Sequence, residues 1–405
     1  MSLIRPFNGV VPRKDCVEKV VSRPFDSYSA EEVKSILSEN PSSFLGVIRP
    51  DYAPKAPQVK GHELLKTSRI AFMQLLRSGE LVREKEASFY IYRQIHGKFT
   101  HTGIVATIEA SAYRDGRIKI HEQTLAAKEA KLKDYLKVVA INAEPVMFTF
   151  KANQELDTLL QTFTLFEKPF ANFEKDGKRH VLWKITDSSA VQKLQESCDA
   201  IQTIYVADGH HRSASSVLLA EEMGAKHPKT KSFMGILIPD HDLRLLEFNR
   251  LVKGLPEETL LALPSMLEKV CEIKFVGNTP RAPREKQQMS MYLKGHWYTL
   301  DFGPKQAELL DADVLTERVL GPLFGIADLR NDQRVGFLSG LKGIKALKHE
   351  VDRGAYQIAF ALFPVQMDQF FSFSDLGKIM PPKTTWFEPK LLNGLVIYDL
   401  EIDSK

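Results

Sequence analysis

A short apolar run that ends in a cluster of functional side chains constrains this sequence more than any other feature. Residues 201–207 (IQTIYVA) are mostly apolar and predict a buried strand, and residues 208–212 (Asp-Gly-His-His-Arg) follow directly. The residues from Ser213 to Met223 predict a helix that ends at Gly224. A strand that passes through a tight turn into a helix favours a mixed α/β chain of the α+β class.

The residue types in this turn suit a phosphate group. A helix N-terminus offers unpaired N–H groups and a positive dipole end, and Gly209 lets the backbone approach a ligand closely. Arg212 can bind phosphate oxygens in a bidentate manner, while His210 and His211 add donors. Asp208 is a candidate Mg²⁺ ligand and catalytic residue, because Mg²⁺ binds through a few carboxylates and phosphate oxygens. The alternative is that Asp208 only caps the helix and that the histidines make structural hydrogen bonds.

A second candidate cluster lies in residues 118–124 (IKIHEQT), before the predicted helix 125–140. Glu122 is a candidate general base that would take a proton from a hydroxyl nucleophile. His121 and Thr124 are candidate substrate-binding residues beside it. The alternative is that Thr124 caps the first turn of the helix and that Glu122 is simply exposed to solvent.

Further candidates lie elsewhere in the chain. Arg93 and His101 lie on the predicted strands 87–95 and 99–110 and are candidate substrate-binding residues. A group of cationic and hydroxyl side chains follows a Met-Pro-Pro turn and predicts phosphate binding. The group is Lys383, Thr384, Thr385 and Lys390. The alternative is that this segment is a solvated loop. No Walker P-loop and no dinucleotide-binding GxGxxG motif occurs in the sequence.

Composition narrows the function classes. Of the 405 residues, 43% are hydrophobic and 26% charged, which is ordinary for a globular protein. With 55 Lys and Arg against 51 Asp and Glu, the charge of +4 does not favour a nucleic-acid partner. Three cysteines, far apart in sequence, predict no disulfide framework and a reducing, cytoplasmic location. The first residues show no secretory segment, and without an apolar run of about 18 residues we expect no membrane contact.

Local patterns predict individual elements and a coarse organisation. Ser29 and Glu32 predict a capped helix over residues 29–40, and the apolar run 44–48 predicts a strand. Changes of pattern place approximate boundaries near residues 80 and 250. We therefore expect three regions: an N-terminal α/β region (1–80), a catalytic core with an insertion (81–250) and a C-terminal α/β region that closes the site (251–405).

Ordered blocks across nearly the whole chain resemble a widespread, long-uncharacterised bacterial and archaeal family related to free-serine kinases. The blocks are Arg5-Pro-Phe, 40–50, 90–94, 102–105, 116–124, Glu144-Pro-Val, 207–212 and 380–390. The resemblance implies a core similar to the ParB nuclease-like and sulfiredoxin fold, elaborated by the N- and C-terminal α/β regions. A sulfiredoxin would need a cysteine where His210 stands, so sulfinic-acid reduction is not expected.

The resemblance implies the transfer of a phosphoryl group to the hydroxyl of free L-serine, which gives O-phospho-L-serine. The implied donor is pyrophosphate or ADP, with Mg²⁺ as the cofactor. The kinases' phosphate-binding turn maps to residues 208–212, and their catalytic glutamate maps to Glu122. Two other readings stay open: a phosphohydrolase that uses the same turn, and a ParB-like nucleotide-dependent binding or regulatory module. The sequence leaves open whether the chain forms a homo-oligomer.

Overall fold

The structure is a computed structural model, and it describes residues 2–54, 56, 58–303 and 309–402. Helices and strands alternate in a mixed α+β fold, which confirms the predicted fold class. Contacts divide the chain into two compact units, which are Met1–Leu243 with Pro389–Lys405, and Arg244–Glu388. Each unit is described by itself. The regions 1–80, 81–250 and 251–405 stay a prediction, as does the ParB/sulfiredoxin-like core.

The strands are numbered in chain order. They are β1 (Ile4–Arg5), β2 (Val10–Pro12), β3 (Leu81–Arg83), β4 (Phe89–His96), β5 (Phe99–Glu109), β6 (Ile118–Lys119), β7 (Ile141–Asn142), β8 (Val146–Phe150), β9 (Ala171–Lys175), β10 (Lys178–Ile185), β11 (Ile204–Asp208), β12 (Ser232–Pro239), β13 (Arg244–Val252), β14 (Glu272–Gly277), β15 (Gln288–Leu293), β16 (His296–Asp301), β17 (Val335–Ser339), β18 (Ile358–Ala361), β19 (Thr385–Glu388) and β20 (Tyr398–Asp399).

The helices are numbered in the same way. They are α1 (Val17–Val20), α2 (Ala30–Glu39), α3 (Leu45–Ile48), α4 (His62–Arg77), α5 (Ala126–Val139), α6 (Gln154–Phe166), α7 (Ser188–Asp199), α8 (His210–Met223), α9 (Glu257–Leu267), α10 (Asp311–Leu315), α11 (Gly321–Phe324), α12 (Ile344–Asp352) and α13 (Met367–Asp375).

The large sheet of the first unit brings the two candidate motifs to one end of a strand pair. Its strands follow the order β6-β11-β8-β12-β5-β4-β10-β9, and β1 pairs with β5. Strands β6 and β11 are parallel, with Ile204 opposite Ile118 and Tyr205 opposite Lys119. Because parallel strands end on the same side, the residues after β6 and those after β11 leave the sheet together. The register of β11 against β8 shifts between Val206 and Asp208, just before the turn.

Apolar packing holds this sheet in place. The buried cluster of the first unit includes Ile91, Ile104, Phe148 and Val206 from neighbouring strands, together with Val217 from α8. Burial of such side chains contributes about 1.5–3 kcal/mol each. The site is therefore built on strand ends and a helix start that the core fixes.

The second unit has its own sheet, in the order β14-β16-β15-β18-β13-β17, with β19 paired to β13. Arg250 on β13 is fully buried, and its guanidinium donates to the backbone oxygens of Phe248 and Lys383, each at 2.8 Å. Lys383 has a φ of 54° in the turn before β19. The buried arginine thus fixes the turn that carries three of the predicted C-terminal phosphate-binding residues, which are Lys383, Thr384 and Thr385.

Several predicted elements are confirmed and two are wrong in detail. The capping box of α2, in which Ser29 and Glu32 exchange hydrogen bonds, is present as predicted. The run 44–48 forms the one-turn helix α3 and not a strand, because a short buried run fits either element equally well. Helix α8 begins at His210 rather than at Ser213. Within the described ranges, no helix is both long and apolar enough to cross a membrane.

Candidate functional site

The two candidate motifs meet where β6 and β11 end. The rings of His121 and His210 lie edge to face with their centroids 4.4 Å apart. His210 Nδ1 lies 3.8 Å from the carboxylate oxygen Oε2 of Glu122. Residues 118–124 and 208–212 therefore contribute to one site, as the parallel pairing of their strands requires.

The start of α8 presents its backbone to this site. Gly209 is the N-cap with a φ of 102°, a left-handed conformation that glycine adopts without strain, and no side chain caps the helix. His210, His211 and Arg212 therefore lie in the first turn, where the backbone N–H groups have no intrahelical partners. The structure does not bear out the alternative in which Asp208 serves as the cap.

The Asp208 carboxylate lies between two cations. Lys390 Nζ donates to its Oδ2 at 3.2 Å, and Arg212 Nη2 lies 3.7 Å from the same oxygen. Burial alone would raise the pKa of Asp208, but Lys390 and Arg212 outweigh burial and lower it below its usual value. Asp208 is thus an anion near neutral pH, and both cations are held close to it.

Glu144 is a member of this cluster to which the sequence assigned no role. Its Oε1 forms an ion pair with Arg212 Nη1 at 2.9 Å, and the same nitrogen donates a hydrogen bond to the Pro145 backbone oxygen at 2.7 Å. Burial raises the pKa of Glu144, and the charge of Arg212 opposes this rise. Two carboxylates, Asp208 and Glu144, therefore share one guanidinium, and their pKa values are displaced in opposite directions. The Glu144-Pro-Val block was the only signal for this residue in the sequence.

Both central histidines are buried and neutral near pH 7. Burial lowers the pKa of His121 from 6.5 to about 4. The pKa of His210 lies well below its usual value, first because of burial and then because of electrostatic interactions with His121, His211 and Arg212. Within the part of the chain that the structure describes, His210 Nε2 has no hydrogen-bond partner. Neutral rings suit hydrogen bonding to a ligand better than charge neutralisation.

A buried polar network that the sequence did not predict positions Lys390. Gln94 Nε2 on β4 donates to the backbone oxygen of Lys390 at 3.0 Å and to the Tyr92 hydroxyl at 3.3 Å. The Tyr92 hydroxyl lies 2.6 Å from His180 Nδ1 on β10. Since Tyr92, Gln94 and His180 are all buried, this network fixes the backbone from which the Lys390 side chain reaches Asp208.

The other candidates of the first unit have protein partners. The Thr124 hydroxyl donates a hydrogen bond to the Glu129 carboxylate in the first turn of α5. This contact is close to the alternative in which Thr124 stabilises the start of the helix. Arg93 donates to the hydroxyls of Thr102 at 2.9 Å and Thr164 at 2.8 Å. His101 Nδ1 is in hydrogen-bond contact with the backbone oxygen of Asp242. Substrate binding by Thr124, Arg93 and His101 stays a prediction.

The remaining candidates belong to the second unit. Thr384 donates to the Pro381 oxygen at 2.7 Å, and Thr385 is the first residue of β19, opposite Glu247. The ammonium of Lys383 lies 5.3 Å from the centre of the Phe248 ring. A role of these three residues in phosphate binding stays a prediction.

The carboxylates of the site fit magnesium only in its phosphate-bridging mode. Among residues 2–54, 56, 58–303 and 309–402, no group of three or more His, Cys, Asp or Glu side chains is placed to hold a metal ion. Mg²⁺ requires fewer protein ligands when phosphate oxygens and water complete its shell. Asp208 is an anion at a helix start suited to phosphate, so it matches this mode.

A comparison with solved structures finds chains of low sequence identity and low TM-score. A free serine kinase in complex with AMP is 12% identical and covers 70% of this chain and 87% of its own, with a TM-score of 0.37. A conserved hypothetical protein from Pyrococcus furiosus is 14% identical and covers 76% of this chain and 99% of its own, with a TM-score of 0.37. SbnI with a C-terminal truncation, from Staphylococcus aureus, is 13% identical over 74% of this chain and 90% of its own, also at 0.37.

The sequence itself matches a known family. No curated protein matches it significantly. A family described as a protein of unknown function (DUF1015) matches residues 4–319, which is well over half of the chain. The matched range includes both motifs of the site, residues 118–124 and 208–212. The chain therefore belongs to the DUF1015 family.

Proposed function

We propose that this protein is a small-molecule kinase that phosphorylates the hydroxyl of free L-serine, with pyrophosphate or ADP as donor. One observation carries the proposal: at the uncapped start of α8, Arg212 and Lys390 converge on the Asp208 carboxylate. Phosphoryl transfer depends mainly on positioned phosphates and on the neutralisation of their charge. A helix start with two convergent cations provides both.

The donor phosphates would bind to the first-turn N–H groups of α8 and to the cations of Arg212 and Lys390. Asp208 would hold Mg²⁺, which neutralises charge on the phosphate oxygens when it is bound. The neutral ring of His210, which packs edge to face on His121, would donate a hydrogen bond to a phosphate oxygen. Lys383, Thr384 and Thr385, which belong to the second unit, stay sequence-based candidates for phosphate binding.

Glu122 is proposed as the general base. It would take the proton of the serine hydroxyl as the hydroxyl oxygen forms its bond to phosphorus. The bond from phosphorus to the leaving oxygen breaks in the same step, and this releases phosphate from pyrophosphate or AMP from ADP. The Glu122 side chain is 52% exposed and lies beside His210, so it is accessible to a small acceptor.

The same exposure favours a second candidate, a phosphohydrolase. Water can reach a half-exposed carboxylate as easily as serine can, and Glu122 would then activate water in place of the acceptor. The two functions differ only in which hydroxyl attacks the phosphoryl group. Product analysis separates them.

Phosphorus NMR tests the proposal directly. Purified protein, Mg²⁺ and L-serine are incubated in separate tubes with pyrophosphate, ADP or ATP, and O-phosphoserine is the expected product in one of them. Asp208→Asn and Arg212→Ala should abolish product, and Glu122→Gln should reduce it steeply. Asp15→Asn is the control and should leave the rate unchanged. Asp15 is an exposed carboxylate whose ion pair, among the described residues, is with Arg13. Phosphate release without phosphoserine would establish the hydrolase instead.

A further inference from the structure

The first unit contains a cavity of about 440 Å³ whose interior the proposed function does not use. It lies among α5, α8, the segment 141–146 and β12, and Phe25 and Asn393 contribute from the N-terminal and C-terminal parts of the chain. Its volume is within the range of about 300–1,000 Å³ that is usual for pockets that bind small ligands. The side chains that line the cavity indicate which class of ligand it would take.

Most of the wall of the cavity is apolar. Phe25, Tyr135 and Phe233 supply aromatic rings, and Leu132 and Met234 supply aliphatic surface. Burial of apolar surface provides most of the free energy of binding in such a pocket. The ligand should therefore have an apolar group that fills this space.

Three uncharged polar side chains of the wall are already hydrogen-bonded to the protein backbone. The hydroxyls of Ser215 and Ser216 donate to the backbone oxygen of Arg212 at 3.0 and 2.8 Å. The amide oxygen of Asn142 accepts from the Met234 N–H at 2.9 Å. Recognition of polar ligand groups therefore depends mainly on the charged residues of the lining.

One carboxylate and one guanidinium lie side by side in the lining. Glu144 Oε1 and Arg212 Nη1 are 2.9 Å apart, and both residues line the cavity. Lys131, the third charged residue of the lining, is exposed on α5. A ligand with an ammonium and a carboxylate would pair with both groups, the ammonium with Glu144 and the carboxylate with Arg212. A ligand with only one of these charges would bring an unbalanced charge next to apolar walls, which is unfavourable.

We infer that this cavity binds a free α-amino acid with an apolar side chain, and that this ligand inhibits phosphoryl transfer by occupying Arg212. An α-amino acid carries its ammonium and its carboxylate on one carbon atom, so both groups reach the neighbouring Glu144 and Arg212 while the side chain fills the apolar space. The binding follows from the cavity itself, whereas the inhibition rests on the proposed function.

Arg212 connects the cavity to the candidate site. Its Nη2 lies 3.7 Å from Asp208, in the turn where the donor phosphates are proposed to bind. A ligand carboxylate and a donor phosphate would therefore compete for the same guanidinium. Glu122, the proposed base, is not part of the cavity wall, so the ligand leaves the place of the acceptor serine free.

Calorimetric titration of the full-length protein without donor tests the site apart from catalysis. L-Phenylalanine and L-leucine should bind. The single-charge analogues 2-phenylethylamine, which has no carboxylate, and 3-phenylpropionate, which has no ammonium, should bind about tenfold or more weakly than L-phenylalanine. Equal binding of all three phenyl compounds would contradict recognition by the Glu144–Arg212 pair.

Substitutions in the lining locate the binding. Leu132→Trp fills the cavity from a half-buried position on α5 and should weaken binding of L-phenylalanine about tenfold or more, while Leu165→Trp, at an exposed position on α6, is the matched control. Glu144→Gln should weaken binding of L-phenylalanine to a similar extent but should not weaken that of 3-phenylpropionate, which has no ammonium. Glu31→Gln, exposed on α2, is its control. Ser216→Leu, from the α8 wall, replaces Leu132→Trp if that variant does not fold.

Initial rates then test the inhibition. With the donor that the phosphorus NMR identifies, L-phenylalanine should raise the apparent KM of the donor severalfold and leave that of L-serine unchanged. Leu132→Trp should keep the basal rate and lose the inhibition. An amino acid that raises the apparent KM of L-serine instead would occupy the acceptor site, and this result would overturn the inference.

The binding data distinguish a failure of the inference from a failure of the proposed function. If neither amino acid binds, or if Leu132→Trp and Glu144→Gln leave the binding unchanged, the inference is wrong and serine phosphorylation is untouched. If adenosine binds in place of the amino acids and Leu132→Trp abolishes its binding, the cavity belongs to the nucleoside of the donor and the inference is also wrong. If L-phenylalanine binds as described but no donor gives transfer to any acceptor, the binding site is supported and the proposed function fails.

Discussion

At the scale of single residues, Gly209 controls where Arg212 can lie. Its φ is 102°, and a Cβ at this position would meet Nε of Arg212 at 3.0 Å and Cζ at 3.1 Å. Gly209→Ala should therefore displace the guanidinium and strongly reduce the rate of phosphoryl transfer. It should also lower the free energy of unfolding by about 1–2 kcal/mol, because alanine is strained in this backbone conformation. Thermal melts and initial rates measure the two effects separately.

Gly295 offers a matched control for this prediction. Its φ is 87°, and a Cβ there would meet nothing within 4 Å. Gly295→Ala should show a similar loss of stability with an unchanged rate. Equal rates for Gly209→Ala and the wild type would contradict a role for the Arg212 position.

The charge of Lys390 sets the pH at which Asp208 works. Lys390 and Arg212 lower the pKa of Asp208 against the effect of burial, so Lys390→Met should raise this pKa. If the reaction needs the anion, activity is lost as the pH falls through this pKa, and the acid limb of the kcat/KM profile should move to higher pH. The variant should also lose activity at all pH values, because the proposed contact of Lys390 with phosphate is removed.

Lys66→Met, at an exposed lysine of α4 that pairs with Glu63, is the control for the pH profile. This variant should leave both the maximum of the kcat/KM profile and the position of its acid limb unchanged. A lower rate for Lys390→Met with an unmoved acid limb would show that Asp208 does not titrate in the reaction.

The sequence predicted the local parts of the site and missed its long-range partners. Residues 208–212 carry their own signal, because functional side chains follow a buried strand within a few positions. Glu144 and Gln94 act through Arg212 and Lys390, which are far away in the chain, and no local pattern records such contacts. Their partners become visible only when strand register and helix packing are known.

At the scale of elements, a pair of parallel strands assembles the site. Strand β6 has only two residues, yet its pairing with β11 sets His121 against His210. The sequence predicted the strand before residue 208 but could not give its pairing with β6, because parallel strands are joined by long connections without a turn signal. The error over residues 44–48 has a related cause, since period and propensity do not separate a short buried helix from a strand.

Strand β4 also has a testable role, which it exerts through Gln94. Gln94→Leu removes the donor to the Lys390 backbone oxygen and should destabilise the protein by about 1–3 kcal/mol, because a buried acceptor loses its partner. It should also lower the transfer rate, since the Lys390 backbone is no longer fixed. Gln192→Leu on the exposed face of α7 should do neither. Urea unfolding and initial rates of the two variants provide the comparison, and equal results would remove the positioning role.

At the scale of the whole chain, the C-terminal segment returns to the first unit. Contacts join Pro389–Lys405 to Met1–Leu243, so Lys390 completes a site whose other members lie before residue 213. The predicted consecutive regions 1–80, 81–250 and 251–405 do not include this return of the chain, because a boundary drawn along the sequence groups each segment with its sequence neighbours. The composition indicated a globular chain and the strand–turn–helix motif a mixed one, but the path of the chain follows from packing that only the structure contains.

Stability should depend on pH through the buried histidines. Burial lowers the pKa of both His121 and His180 from 6.5 to about 4, so between these pH values the unfolded chain binds protons that the folded chain does not. The free energy of unfolding therefore rises with pH across this window and falls on acidification, by at most roughly 3 kcal/mol per histidine. His180→Leu should flatten this slope. It should also lower stability at pH 7, because the Tyr92 hydroxyl loses one of its two hydrogen-bond partners and keeps only Gln94. His62→Gln, at an exposed position, should keep the full slope, and an equally steep loss in His180→Leu would show that other groups cause it.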